Sequence, residues 1–236
     1  MTQPTQSTRL VAFLELLVFV GFAWGSKLVV DQIIWKFSGP ITLITTLVLL
    51  TIYMRYRGES WSGMGLRSLP GWKSKLLILP QALLAMIVIL ATGAALALGG
   101  DALGFWSLEE EPSGVVDRFA GIEGNLSVYL TWMAVIWTSA AFGEEMFFRG
   151  FLITRFERVV AGIPFAAGIA VILAALIFGA GHFYYQGIRG LVVVTAIGVV
   201  IGSLFLLYKR NLWPLILAHG AVDSLGMTAR FLDLDV

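Results

Sequence analysis

Long apolar runs separated by short polar stretches dominate the chain. Seven runs, roughly 9–26, 37–54, 76–98, 126–150, 162–183, 188–208 and 211–229, approach or reach the ~20 apolar residues that a helix needs to cross a bilayer. They are continuous, unlike the alternating segments of a membrane barrel. Within lipid the backbone must satisfy its own hydrogen bonds, so such runs are expected to be helical. The pattern predicts an all-α polytopic bundle of about seven transmembrane helices, a single integral membrane domain over residues 1–236. A short eighth helix fits within 99–125. No internal repeat, low-complexity tract or separate soluble domain is visible.

Composition agrees. The chain is 58% hydrophobic and 13% charged, with mean hydropathy +0.86, against about 25% charged residues in soluble domains. Net charge is +1, so no strong field recruits nucleic acid. There are no cysteines, which excludes disulfides, a thiolate nucleophile and a Cys metal site. Residues 10–24 follow Arg9 like a signal peptide, but Glu15 interrupts them and no small-x-small site follows Trp24. They are read as the first span.

The loops suggest an orientation. Arg55, Arg57, Arg67, Lys73 and Lys75 outnumber Glu59 in 55–75, whereas Asp101, Glu109, Glu110, Glu111, Asp117 and Glu123 outnumber Arg118 in 99–125. Arg155 and Arg158, and then Lys209 and Arg210, follow the fourth and sixth runs. With the N-terminus inside, these basic clusters fall on the cytoplasmic side. The acidic loop and FLDLDV fall outside, with Lys27, Lys36 and Arg189 as exceptions.

Apart from Arg9 and Arg189 at the starts of two runs, the acidic, basic and histidine residues within the runs are Glu15, Glu144, Glu145, Arg149, His182, His219 and Asp223. Each costs about 2.5–3.5 kcal/mol at mid-bilayer on insertion scales, so such groups usually face a cavity or each other. Glu145 and Arg149 are four apart and can pair on one face. Glu144, rotated about 100° from its neighbour in an α-helix, is left over. Phe178 lies one turn before His182, and His219 one turn before Asp223. Small residues such as Gly143, Gly150, Gly179, Gly181 and Gly220 surround these groups and let helices approach closely. Taken singly, a Glu–Arg pair is as readily a packing lock, and a lone intramembrane His a satisfied hydrogen-bonder. Glu15 has no patterned partner and is read as structural or interfacial. The set of paired residues, holding both of the chain's histidines, points further.

EEMFFR (Glu144, Glu145, Arg149), FGAGH (Phe178, His182) and HGAVD (His219, Asp223) resemble, in order and spacing, the EExxxR, FxxxH and HxxxN/D motifs of the CAAX protease and bacteriocin-processing family. This is also the ABI family, which includes the type II CAAX prenyl endopeptidases. The resemblance covers about 125–230, and SGMGLR (62–67) is similar to a further segment common in the family. It implies an intramembrane protease with a polar cavity open to the cytosol, in a prokaryotic cytoplasmic membrane. Its substrate would be a peptide or protein, prenylated or membrane-bound, cut near the C-terminus. By motif, Glu144 would activate water with His182, His219 and Asp223 would stabilise the oxyanion, and Glu145 and Arg149 would support them, with Phe178 packing beneath His182.

Asp223 departs from the Asn variant of the third motif. Ionised, it cannot donate to an oxyanion, so it is either protonated or orients His219. Depth sets a second condition. Glu144 meets His182 only if the fourth helix runs on, from Ser127 to near Arg158. No cofactor is expected. The alternatives are a Zn-dependent metalloprotease drawing on Glu144, His182, His219 and Asp223, a non-proteolytic scaffold or bacteriocin-immunity protein, and a proton-coupled transporter, whose paired broken helices are missing.

Overall fold

A computed structural model describes residues 6–234, and these are all-helical, with no strand among them. The first two helices, α1 (Gln6–Ile34) and α2 (Ser38–Tyr56), form a hairpin about a single 3-10 turn, Trp35–Phe37. Thr42, Thr46 and Thr51 sit within α2 because each hydroxyl donates to the carbonyl four residues back, at 2.6–2.8 Å. A short α3 (Gly71–Leu76) leads into α4 (Ile78–Ala102). The polar 99–125 stretch contains α5 (Ser113–Phe119), too short to cross a bilayer.

Asn125 caps α6 (Leu126–Val135) by accepting a hydrogen bond from the Val128 amide. The helix continues through a π-helical stretch, Ile136–Ile153, into α7 (Thr154–Val159). Leu126–Val159 is thus one rod of 34 residues, and Glu144 lies near its middle. The run-on that depth demanded is present.

The longest element, α8 (Ala166–Leu207), breaks at Gly187, whose φ of 64° and ψ of −156° no helix contains. Its two limbs fold back on each other. A Cβ built on Gly198 would meet Ala175 at 3.0 Å, and one on Gly202 would meet Val171 at 2.7 Å. Glycine there permits the near-contact of two helices. The last helix is α9 (Trp213–Phe231).

Among the described residues, four segments are long and apolar enough to cross a membrane: Thr8–Tyr56, Gly71–Ala102, Leu126–Val159 and Ala166–Leu207. The first and last each contain a reversal, so each holds two of the expected runs. Leu10, Val18, Leu28, Ile33, Leu79 and Leu98 remain largely exposed, as lipid-facing side chains must. The chain is an integral membrane protein.

Two charges have partners that sequence spacing did not show. Glu15, which had no visible partner, is buried, accepts from Tyr53 Oη at 2.8 Å and pairs with Arg155 Nε. Arg155 is not a loop cation: it is fully buried in α7 and also reaches Glu59 at 2.6 Å. Glu59 in turn accepts from Arg158 at 3.1 Å. Burial pushes the Glu59 carboxyl up, but Arg155 and Arg158 outweigh it and hold it below its ordinary value. This network ties α1, α7 and the loop after α2 together at one end of the bundle. Removing one partner from a buried pair costs roughly 3–5 kcal/mol, so Arg155→Ala should lower the thermal unfolding temperature in detergent well below that of Arg158→Ala. Because folding depresses the Glu59 pKa, its contribution is complete above the unfolded value of 4.5 and fades as pH falls below it. The stability gap between wild type and Glu59→Gln, tracked by unfolding at pH 7 down to pH 3, should close at the acid end.

Candidate active site

The π-helical stretch sets the site's geometry. Its i→i+5 pattern puts more residues into each turn, so neighbours diverge less than in an α-helix. Glu144 and Glu145 therefore do not separate by the 100° of an α-helix, and both reach the same imidazole. Glu145 Oε1 lies 2.9 Å from His219 Nδ1, and Glu144 Oε2 lies 3.9 Å from Nε2. Glycine lets α9 come this close: a Cβ built on Gly220 would meet the Trp137 ring at 2.7 Å.

Glu145 is fully buried and its Oε1 also accepts from Arg149 Nη1 at 3.0 Å. The expected pair is there, but it is a three-way knot rather than a pair. Arg149, itself 2% exposed, lies over the Phe178 ring with its guanidinium carbon 4.5 Å from the centroid. Glu145 Oε2 and Arg149 Nη2 are buried without hydrogen-bond partners. No ion pair or hydrogen bond joins Glu144 to Arg149 among the described residues.

His182 packs edge-on to Phe178, with ring centroids 4.8 Å apart, as their spacing implied. Its Nδ1 is 2.9 Å from the Phe178 carbonyl oxygen. A carbonyl only accepts, so Nδ1 carries a proton, and a neutral His182 presents a bare lone pair at Nε2. On His219 the carboxylate of Glu145 similarly holds the proton on Nδ1. Its Nε2 is 3.5 Å from Asp223 Oδ2, beyond good hydrogen-bond length, so that contact is electrostatic.

Glu144, Phe178, His182, His219 and Asp223 all line one cavity of about 630 Å³. No hydrogen bond joins Glu144 to His182 among the described residues; they meet across this space. Glu145 and Arg149 lie behind its wall. Ser139, outside every motif, is buried on the same wall. Among the described residues no three His, Cys, Asp or Glu side chains are grouped to hold a metal ion.

The cavity is lined on one side by the buried Phe147, against which Phe151 stacks from behind. It extends the other way to Lys27, Asp31, Arg118, Tyr185 and Arg230. That end holds the acidic 99–125 stretch, opposite the Arg155–Glu59 network. The cavity lining therefore includes residues from the end that carries the acidic stretch and none from the Arg155–Glu59 network. The sequence reading also missed the mouth residues. Lys27 and Asp31, four apart and 2.8 Å from each other, were legible as a helical pair; Arg118 and Tyr185 carried no spacing signal.

If Glu145 locks the fold and Glu144 does not, Glu145→Ala should destabilise the detergent-solubilised protein by about 3–5 kcal/mol. Glu144→Ala should leave its unfolding temperature close to wild type.

Residues 126–225, which include every residue of the three motifs, match the family model described as type II CAAX prenyl endopeptidase Rce1-like. No curated protein and no solved structure matches the chain.

Proposed function

We propose, taking the Rce1-like match as premise, that this protein is an intramembrane endopeptidase that hydrolyses a peptide bond near the C-terminus of an apolar or prenylated substrate. One observation carries the reading: three motifs from separate helices converge on one cavity, with Glu144, His182 and His219 facing it. Glu144 is the base. A water proton passes to its carboxylate as the water oxygen attacks the scissile carbonyl. The bare Nε2 of His182 accepts a hydrogen bond from the other O–H of the water and aims the attacking lone pair.

The developing oxyanion needs a donor. A neutral His219 cannot supply one from Nε2, because Glu145 keeps its single proton on Nδ1. Donation from Nε2 requires a ring with both protons, and Glu144, Glu145 and Asp223 stand around that ring. Asp223 then supports the charge on His219 rather than binding the oxyanion itself. Collapse of the tetrahedral intermediate breaks the C–N bond, and Glu144 returns its proton to the leaving amine.

Seven crossings fit this reading: α1, α2, α4, the rod from Leu126 to Val159, the two limbs of α8, and α9. With the basic end in the cytosol, the cavity mouth faces the opposite side, and the substrate is presented there rather than from the cytosol.

Purified protein given a farnesylated CAAX peptide should release the C-terminal tripeptide, read by mass spectrometry. Glu144→Ala and His182→Ala should each reduce that by at least about a hundredfold, within the usual worth of acid–base catalysis. Activity abolished by a chelator and restored by Zn²⁺ would instead assign the chemistry to a metal. Cellular function retained in both variants would favour the scaffold or immunity role, which needs only the Glu145–Arg149–His219 knot.

The cysteine-free chain makes orientation directly readable. Single Glu110→Cys should react with a membrane-impermeant maleimide on intact cells, and Lys75→Cys only after lysis. The reverse pattern would return the mouth to the cytosol.

A further inference from the structure

Three cations line the cavity mouth, and two have carboxylate partners. Lys27 reaches both oxygens of Asp31, at 2.8 and 3.0 Å. Arg230 donates to Glu111 Oε2 at 3.2 Å. Arg118 differs. It is 8% exposed, lines the cavity, and has no hydrogen-bond acceptor or carboxylate among the described residues. Its neighbours are ring faces, with its guanidinium carbon 4.7 Å from the Tyr185 centroid and 5.7 Å from that of Trp132. Six acids stand in the same stretch, Asp117 adjacent in sequence, yet among the described residues none forms an ion pair with it.

A guanidinium taken out of bulk water without an anion is unfavourable. Rings that hold its plane while leaving its N–H fork free preorganise it for a two-oxygen acceptor. Its placement is also fixed by packing. A Cβ built on Gly114, four residues earlier in α5, would meet the Tyr185 carbonyl oxygen at 2.6 Å, so α5 is pressed against the turn of α8.

From this geometry we infer that Arg118 is an anion subsite that binds the free C-terminal carboxylate of the peptide substrate. The inference rests on the endopeptidase reading above and adds what the mouth recognises. Distance favours a chain end. The Tyr185 ring that carries Arg118 lies 5.7 Å, centroid to centroid, from the His182 ring. Guanidinium and imidazole are therefore no farther apart than about three extended residues, each covering roughly 3.3–3.6 Å. A peptide anchored by its carboxylate at Arg118 places a bond a few residues upstream beside Glu144 and His182.

The test reads binding in the Glu144→Gln background, so that it stands whether or not the protein cleaves. The probes are a fluorescent farnesylated CAAX peptide with a free carboxylate and the same peptide as its C-terminal amide. The acid should bind about 10–100-fold more tightly than the amide, the usual worth of a charge-assisted hydrogen-bonded contact. Arg118→Gln should bring that ratio to about one, and Arg118→Lys should restore part of it. A ratio near one before any change at Arg118 overturns the inference. So does an equal loss for acid and amide in Arg118→Gln, which is the mark of a structural role. Repeating the measurement in nanodiscs of phosphatidylcholine with and without phosphatidylglycerol separates the other source of an anion. A preference unchanged by phosphatidylglycerol supports the carboxylate subsite; one that disappears when it is added assigns Arg118 to lipid phosphate instead.

Discussion

One oxygen organises this protein. Glu145 Oε1 is shared by Arg149, one helical step along the same rod, and by His219 on α9. Three groups that would each be costly in a bilayer become tolerable together. The same oxygen sets the site's chemistry, because it decides which nitrogen of His219 is protonated. Stability and reactivity meet in a single buried carboxylate that never reaches the cavity.

The π-helical winding of Ile136–Ile153 makes this possible. In a regular α-helix, adjacent glutamates diverge by about 100°. The wider turn lets Glu145 take Nδ1 from behind while Glu144 stands at Nε2 in the cavity. Small residues complete the geometry. Gly220 admits Trp137 against α9, and Gly198 and Gly202 bring the limbs of α8 together, so that His182 comes to the same space from the other side. A second buried network, Glu15 with Arg155 and Glu59, clamps the far end of the bundle.

Polarity along the bundle axis shapes what the site can meet. Basic residues crowd the closed end and acidic ones the open end. Within the cavity the order continues, from the carboxylate–imidazole floor to the cations Lys27, Arg118 and Arg230 at the mouth. A substrate with an apolar body and an anionic end would find complementary surroundings at each level.

The sequence alone determined those features that rest on local periodicity and solvent. Apolar run length made the helices, and four-residue spacing joined Glu145 to Arg149, Phe178 to His182 and His219 to Asp223. It also required the long fourth helix, since otherwise Glu144 and His182 could not share a depth. Tertiary structure decided the features that depend on contacts between distant segments. Glu15 gained Arg155, 140 residues away; Glu145 became a bridge to His219; and Arg118 from the acidic stretch came to line the cavity. None of these leaves a trace in spacing, because a side chain's partner across a bundle is chosen by how closely two helices pack, not by where it stands on its own. The π-helical winding was likewise hidden, since an apolar run of that length reads equally as α-helix.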